Sequence, residues 1–551
     1  MVQSFFMETM VADDAGLVIL GNNSADQRTH GHRKRESSGG KKRSDAAMGR
    51  SLMLLDVRYL LAVASILSIA ALVLNLVNVK KATLPPSTKY GLVFDAGSTH
   101  TSLYIYQWPA DKENTTGVVN QVSACRAQGQ GISSYADNPA KAGESLKTCL
   151  DEAMTIIPAE QQKETPTLFG ATAGMRLLRM KNSTKANQVL EEVFKTIKQY
   201  PLDFQMARIL TGNEEGSLGW ITSNYLLEKF IKYSFAGKWI HPWPVEVVGA
   251  LDLGGASVEI TFGPSGPIKN KDTEMFFRLY GYNYTIYTHS YLCYGVFQAM
   301  DMLLANITKG QDPSKVINHS CYPKGYQKIT SLASIYNSSC VSAPAKYNPN
   351  QNITLNGTGN PAECKNAIRQ LFNFSACGSN KTCSFNGVYQ PPVHGQFYAF
   401  SAFHNVFHFL NLTSGQSLNA TTDTIQQFCT MDWNKLKANF PKMPEKILRD
   451  FCAASIYILT LLVEGYKFDN ETWGNIHFTD KVGNQDIGWS LGYMLNLTNM
   501  IPSEMPATVK GYESSTWAIT IAMLFLTIVL TLLTILILFF QRRGSAYETM
   551  L

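Results

Sequence analysis

Two short segments place the same reactive groups at two points of the chain. Asp95-Ala96-Gly97-Ser98-Thr99-His100 lies inside Gly91-Leu-Val-Phe-Asp-Ala-Gly-Ser-Thr-His-Thr-Ser-Leu-Tyr-Ile-Tyr. Asp252-Leu253-Gly254-Gly255-Ala256-Ser257 lies inside Val247-Val-Gly-Ala-Leu-Asp-Leu-Gly-Gly-Ala-Ser-Val-Glu-Ile-Thr-Phe. Both read as apolar strand, tight turn, apolar strand. Glycine has no Cβ, so backbone N–H groups at such a turn can approach an anion closely. The hydroxyls of Ser98, Thr99 and Ser257 add donors. An aspartate repels phosphate, yet it can hold a divalent cation, directly or through water, that bridges phosphate oxygens. Two such hairpins facing one cleft would grip a polyphosphate from both sides. The bland alternative is a pair of ordinary glycine-rich turns. No G-x-x-x-x-G-K-S/T loop occurs, which excludes a P-loop enzyme.

Other segments add candidates. In Arg208-Ile-Leu-Thr-Gly-Asn-Glu-Glu-Gly-Ser-Leu-Gly-Trp, a strand is expected to end at Thr211 and a helix to start near Ser217, leaving Glu214 and Glu215 in the turn. Adjacent buried carboxylates repel, which raises one pKa. A carboxylate within reach of a water can act as general base for in-line attack on phosphorus. The alternative is a pair of acids favoured by a helix dipole. Gly170-Ala-Thr-Ala-Gly-Met-Arg puts Thr172 at a strand-to-helix turn, where it touches phosphate or water, or simply packs. Asp486-Ile-Gly-Trp-Ser-Leu-Gly-Tyr completes the cleft or begins a packed helix. No H-E-x-x-H pairing and no serine hydrolase signature is present.

The elements that must position these groups alternate. Asp252 follows Asp95 in a repeated strand–turn–strand scheme, and Gln188 to Gln199 and Ser217 to Phe230 between them have helical spacing of apolar residues. Strands alternating with helices imply α/β layers. With 48 basic and 42 acidic side chains in 551 residues, the chain has no strong basic stripe, which argues against nucleic-acid binding. Charged residues are 16% and apolar residues 45%, which excludes an intrinsically disordered chain.

Tyr59–Val79 and Trp517–Phe540 are uncharged and each long enough to span a bilayer of about 20 helical residues. Arg and Lys before the first span, and Arg542 and Arg543 after the second, place both termini in the cytoplasm. Residues 1–58 then form a cytoplasmic tail, disordered by its polar composition, and 541–551 a second short tail. Residues 80–88, with Leu84-Pro-Pro-Ser, form a stalk. All ten cysteines lie between the spans, an even set that reads as five disulfides in an oxidising compartment. Asn-x-Ser/Thr sequons crowd the same segment from Asn114 to Asn496.

In this order, DAGSTHTSLYIY from Asp95, GATAGMRLL from Gly170, TGNEEGSLGW from Thr211, LDLGGASVEITF from Leu251 and DIGWSLGYMLN from Asp486 resemble the five motifs of the ecto-nucleoside triphosphate diphosphohydrolases, or ecto-apyrases. YTHSYLCYG and NLTNMIP make the chain look most like the vascular, type 1 branch. The resemblance implies two actin-like, ribonuclease-H-like lobes around a central cleft: lobe I over 89–211 with 486–510 returning to it, lobe II over 212–485. It implies a multi-pass plasma-membrane enzyme that removes phosphates stepwise from extracellular ATP and ADP with Ca²⁺ or Mg²⁺. By motif position Glu215 is the base, Ser257 and Thr172 order the attacking water, and Asp95 and Asp252 hold the metal's waters. Gly97, Ser98, Thr99, His100, Leu253, Gly254, Gly255, Ala256 and Trp489 fall in the phosphate- and nucleotide-binding motifs. The implied cystines are Cys125–Cys149, Cys293–Cys340, Cys321–Cys364, Cys377–Cys383 and Cys429–Cys452. A homo-oligomer through the membrane helices is a further expectation.

The sequence departs from the family pattern at Val258-Glu259, where the family reads Thr-Gln. Glu259 therefore joins the catalytic candidates: glutamine donates and accepts hydrogen bonds, whereas an ionised glutamate only accepts. At His404-Asn405 the usual aromatic pair, where the family seats the base, is replaced. Two competing readings are a nucleotide-binding surface glycoprotein without turnover and a Golgi lumenal nucleoside diphosphatase.

Overall fold

A computed structural model describes residues 44–77, 80–242, 246–511 and 513–548. The chain divides into two compact units, Thr83–Val509 and the terminal segments Met1–Ala82 with Lys510–Leu551. Most of the expected N-terminal tail, 1–43, lies outside the described residues. Its last part, 44–58, is helical and continues into the first apolar segment.

In the terminal unit the N-terminal helix Ser44–Val77 and the C-terminal helix Ser514–Glu548 pack together. Val57–Leu76 and Ser514–Phe540 are long and apolar enough to cross a membrane. Their shielded residues recur every seventh position: Val57, Ala64 and Ala71 on one helix, Thr520, Thr527 and Thr534 on the other. That period keeps a seam in register along a left-handed helix pair. The hydroxyls of these three threonines bond back to carbonyls of their own helix, so none of the three is left bare.

The larger unit contains two central sheets. The first uses β1 (Thr88–Ala96), β2 (Thr101–Pro109), β3 (Asn120–Arg126), β4 (Pro166–Ala171) and β5 (Asp203–Ile209) in the order β3-β2-β1-β4-β5. The second uses β6 (Gly249–Leu253), β7 (Ser257–Phe262), β8 (Glu274–Leu279), β9 (Tyr282–Leu292), β10 (Phe397–Ser401) and β11 (Ile476–Phe478) in the order β8-β9-β7-β6-β10-β11. In each, the hairpin's first strand pairs antiparallel with its second and parallel with a later crossover strand, β4 or β10. The repeat seen in the sequence is thus a repeat of topology. Leu92, Val93 and Phe94 on β1, like Leu251 and Leu253 on β6, are buried, as strands covered on both faces require.

Helices cover the sheets. α1 (Ala173–Lys181) follows β4, and α2 (Ser183–Ile197) begins where Asn182 caps it by accepting from the Lys185 N–H. α3 (Gly212–Leu226), α4 (Ala402–Phe409) and α5 (Trp489–Thr498) complete the set used here. α3 packs on β6, β7 and β9, α5 packs on β1 and β2, and the two helices pack on each other. Gly492 makes that approach possible: a Cβ there would stand 2.0 Å from the Leu218 carbonyl oxygen. The five cystines join the pairs the resemblance implied.

The helix expected to start near Ser217 starts at Gly212. Thr211 accepts from the Glu214 N–H, and the Glu214 carboxylate accepts from the Thr211 N–H at 2.8 Å. This reciprocal capping box satisfies two end donors and pulls the start of the helix five residues back.

Candidate active site

The two glycine turns meet. A Cβ on Gly255 would stand 2.6 Å from the Ser98 hydroxyl and 3.0 Å from the Thr99 methyl. Behind the first turn, a Cβ on Gly174 would stand 2.8 Å from the Ser98 Cα. A side chain at either glycine would push the turns apart or displace one of them, so both positions need the bare backbone.

Between the turns opens a cleft of about 700 Å³. It is lined by Asp95, Gly97, Ser98, Thr99, His100, Thr172, Glu215, Asp252, Leu253, Gly254, Gly255, Ala256, Ser257 and Trp489. Every site residue expected from the sequence is therefore at this one cleft, except Glu214 and Glu259. Glu259 lies directly beneath it: its Oε1 accepts from the hydroxyls of Ser257 at 2.5 Å and Ser290 at 2.7 Å. Thr172 is the N-cap residue of α1. Trp489 opens α5, so the last motif both forms the wall and begins a packed helix.

Glu214 and Glu215 part company at the start of α3. Glu214 turns back to Thr211 and pairs with Arg208 at 2.8 Å. Burial opposes its ionisation, but the Thr211 N–H and the Arg208 guanidinium outweigh burial and hold its carboxyl below the usual range. Glu215 turns into the cleft and is buried. Burial and the nearby Glu259 push its carboxyl well up, with Arg176 opposing. The expected repulsion between the adjacent pair is therefore not the cause. Glu259 reaches α3 from β7 and supplies the repulsion instead.

Arg176 was not singled out from the sequence. Its Nη2 donates to Glu215 and, at 3.1 Å, to the Ser257 hydroxyl, while Nη1 donates to Ser290 at 3.3 Å. The guanidinium stands 3.7 Å from Glu259. Arg176 lies in the fourth position of α1, one turn beyond Thr172, and that spacing was the available signal. Ser290 lies on β9, opposite Glu259 in the antiparallel register, and nothing local in the sequence marks it.

Asp95 and Asp252 end their strands facing the cleft. Burial lifts Asp95 to about 7, helped by the Asp252 charge. Burial lifts Asp252 to about 6. Two desolvated acids beside glycine-lined turns fit a divalent cation, whose charge would repay the cost of ionising them. At the far end of the cleft Asn405 lines the wall, whereas His404 stacks on His408 with ring centroids 5.1 Å apart and lies 3.6 Å from Asp480.

Two glycine turns at one cleft, each ending a strand of a repeated α/β sheet, define an actin-like fold. The comparisons agree. The chain belongs to the GDA1/CD39 (nucleoside phosphatase) family, which residues 81–510 match. It is 59% identical over 478 residues to ectonucleoside triphosphate diphosphohydrolase 8 of Gallus gallus, covering 87% of this chain and 97% of that one. It is 50% identical to the Homo sapiens protein of the same name, covering 85% and 94%. It is 44% identical to ectonucleoside triphosphate diphosphohydrolase 2 of Mus musculus, covering 87% and 95%. Among solved structures, the nucleoside triphosphate hydrolases from Neospora caninum share the fold at a TM-score of 0.53 and 12% identity, covering 84% of this chain and 97% of that one.

Proposed function

We propose that the chain is a membrane-anchored apyrase that hydrolyses extracellular nucleoside triphosphates and diphosphates to the monophosphate and inorganic phosphate. The observation that carries this reading is the meeting of both Asp-x-Gly turns at one cleft that Glu215 also enters. The backbone N–H groups of Gly97, Gly255 and Ala256, with the Ser98 and Thr99 hydroxyls, hold the phosphate chain, while the Gly254 N–H closes the turn on the Ser257 carbonyl. Water oxygen attacks the terminal phosphorus in line. The bond from phosphorus to the bridging oxygen breaks, its electron pair leaving on that oxygen, and Glu215 takes one proton from the water. Inorganic phosphate and a nucleotide shortened by one phosphate result, and the diphosphate re-enters for a second round. Asp95 and Asp252 would hold Ca²⁺ or Mg²⁺ through water, and the cation would neutralise phosphate charge.

The lobe division at 211/212, with 486–510 returning to the first lobe, belongs to the same proposal. Packing of α5 on β1 supports the return. The two apolar helices support a membrane location, and the Arg and Lys residues flanking them support an orientation with both ends inside. Oligomerisation through those helices is likewise part of the proposal. For the branch we favour type 8 over the type 1 suggested by YTHSYLCYG and NLTNMIP. Those segments are short, and the type 8 relatives share 50% and 59% over most of both chains.

Phosphate release from ATP and from ADP added outside intact cells tests the reading. Both are expected to be consumed. Binding without release would support a non-catalytic glycoprotein, and activity confined to permeabilised cells a lumenal enzyme.

A further inference from the structure

Ser257 touches more partners than a water-ordering hydroxyl needs. Its oxygen accepts from Arg176 Nη2 at 3.1 Å, and its proton goes to Glu259 Oε1 at 2.5 Å. Ser290 repeats the pattern, accepting from Arg176 Nη1 at 3.3 Å and donating to the same Oε1 at 2.7 Å. A hydroxyl has one proton and two lone pairs. With the proton committed to Glu259 and one lone pair to Arg176, Ser257 has a single lone pair left, and Ser257 lines the cleft. The other oxygen of Glu259, Oε2, is buried without a hydrogen-bond partner among the described residues.

We infer that Arg176 and Glu259 form a brace that fixes the polarity of the Ser257 hydroxyl, so that it can only accept from the attacking water. Glu259 is a positioning residue that acts through Ser257. This rests on the hydrolytic reading above, in which Ser257 meets the water. A water that gives one proton to Glu215 and the other to Ser257 has both protons held away from the substrate. Its lone pairs then face the phosphorus. If Ser257 could rotate and donate, the water would accept from it and lose one of the electron pairs that attack.

The brace also explains why glutamate can stand where the family pattern has glutamine. The position requires an acceptor oxygen, not a charge. Oε1 accepts from both serines whether Glu259 is ionised or carries a proton on Oε2. A glutamine can keep its carbonyl oxygen toward the serines and place its amide nitrogen where Oε2 now lacks a partner. That nitrogen would donate toward the Asp252 carboxylate, whose oxygen lies within 4.8 Å of a Glu259 oxygen. Methionine, of similar length, offers no acceptor.

The test is a double-mutant cycle in the full-length protein, with nucleotide binding measured separately by calorimetry in the presence of Mg²⁺. Glu259→Met is expected to lower kcat by roughly tenfold or more, the scale of one aimed catalytic hydrogen bond, with KM within about threefold. Glu259→Gln is expected to recover most of that loss. In a Ser257→Ala background, Glu259→Met should add less than about a threefold further loss, because both changes break one contact chain. Glu259→Asn, which stays polar but draws the oxygen a methylene away from Ser257, should resemble Met and serves if Met unfolds. Full multiplication of the two effects would overturn the brace. So would a Gln variant as slow as Met, or a Met variant as fast as wild type. If Ser257→Ala alone keeps kcat, the brace falls with the role of Ser257, while Glu215→Gln still reports separately on the base.

Discussion

The two hairpins are built alike but carry different side chains. In each, a buried strand ends in Asp-x-Gly, turns, and returns antiparallel, and the residue seven places after the aspartate faces it across the pair. In the first hairpin that partner is Ser102, opposite Asp95. In the second it is Glu259, opposite Asp252. The first hairpin therefore presents one carboxyl and a run of hydroxyls, suited to gripping phosphate. The second adds a buried acid that organises Ser257, Ser290 and Arg176 beneath the cleft. The repeat keeps Asp-x-Gly in both turns, and the substitutions that follow, Ser257 for His100 and Glu259 for Ser102, give the second one a buried acid and a hydroxyl to organise.

The largest effect should follow from the acid at the start of α3. Glu215→Gln is expected to cut phosphate release by about a thousandfold or more, within the range of general base catalysis, while Mg²⁺-nucleotide still binds. Normal release would remove Glu215 from the chemistry and leave the second hairpin without its proposed task.

The next probe acts on the meeting of the turns. Gly255→Ala puts a methyl 2.6 Å from the Ser98 hydroxyl and should lower kcat/KM by about tenfold or more through misplacement of the phosphate chain. Gly266→Ala, where a Cβ would meet nothing within 4 Å, is the matched control and should leave kcat/KM unchanged. Equal effects would show that the turns do not act on a common ligand.

Removing Arg176 tests the asymmetry from the side of charge. Its guanidinium opposes the burial and the Glu259 repulsion that raise Glu215. Glu215 must be ionised to act as base, so the rate falls as pH drops through its pKa. Arg176→Met should move that acidic limb to higher pH, whereas a purely structural loss would lower the rate evenly across pH.

The smallest effect concerns stability. Asp95 is lifted to about 7 and Asp252 to about 6, both above ordinary carboxylates. An acid whose folded pKa is raised contributes stability that is fully present below its unfolded value and is lost as pH rises through the folded one. Without divalent cation, the ectodomain's melting temperature should therefore fall between about pH 4 and pH 7 on account of this pair. Mg²⁺ should restore more of it at pH 7.5 than at pH 5. An equal shift at both values would mean that the aspartates do not carry the cation.

What was legible in the sequence follows from what is local. The hairpins could be read because glycine, aspartate and flanking β-branched residues fall within one stretch of chain. The start of α3 differs from the expected Ser217 because Thr211 and Glu214 cap each other reciprocally, a pairing that the helix-dipole reading of the two acids does not contain. Arg176 sits one helical turn beyond Thr172, a local cue, whereas Ser290 reaches Glu259 from β9 through a strand pairing that no local pattern announces. His404 stands where the resemblance leads one to expect the base, but in the fold its ring lies against His408 and Asp480, and Asn405 takes the cleft wall.

The most direct test of the central claim is a crystal structure of the ectodomain with Mg²⁺ and a non-hydrolysable ATP analogue. The phosphate chain is predicted to contact the backbone of both turns, at Gly97–Thr99 and at Gly255–Ala256, with a water between Glu215, Ser257 and the terminal phosphorus. Phosphates held by one turn alone, or a terminal phosphorus with no water facing Glu215, would contradict it.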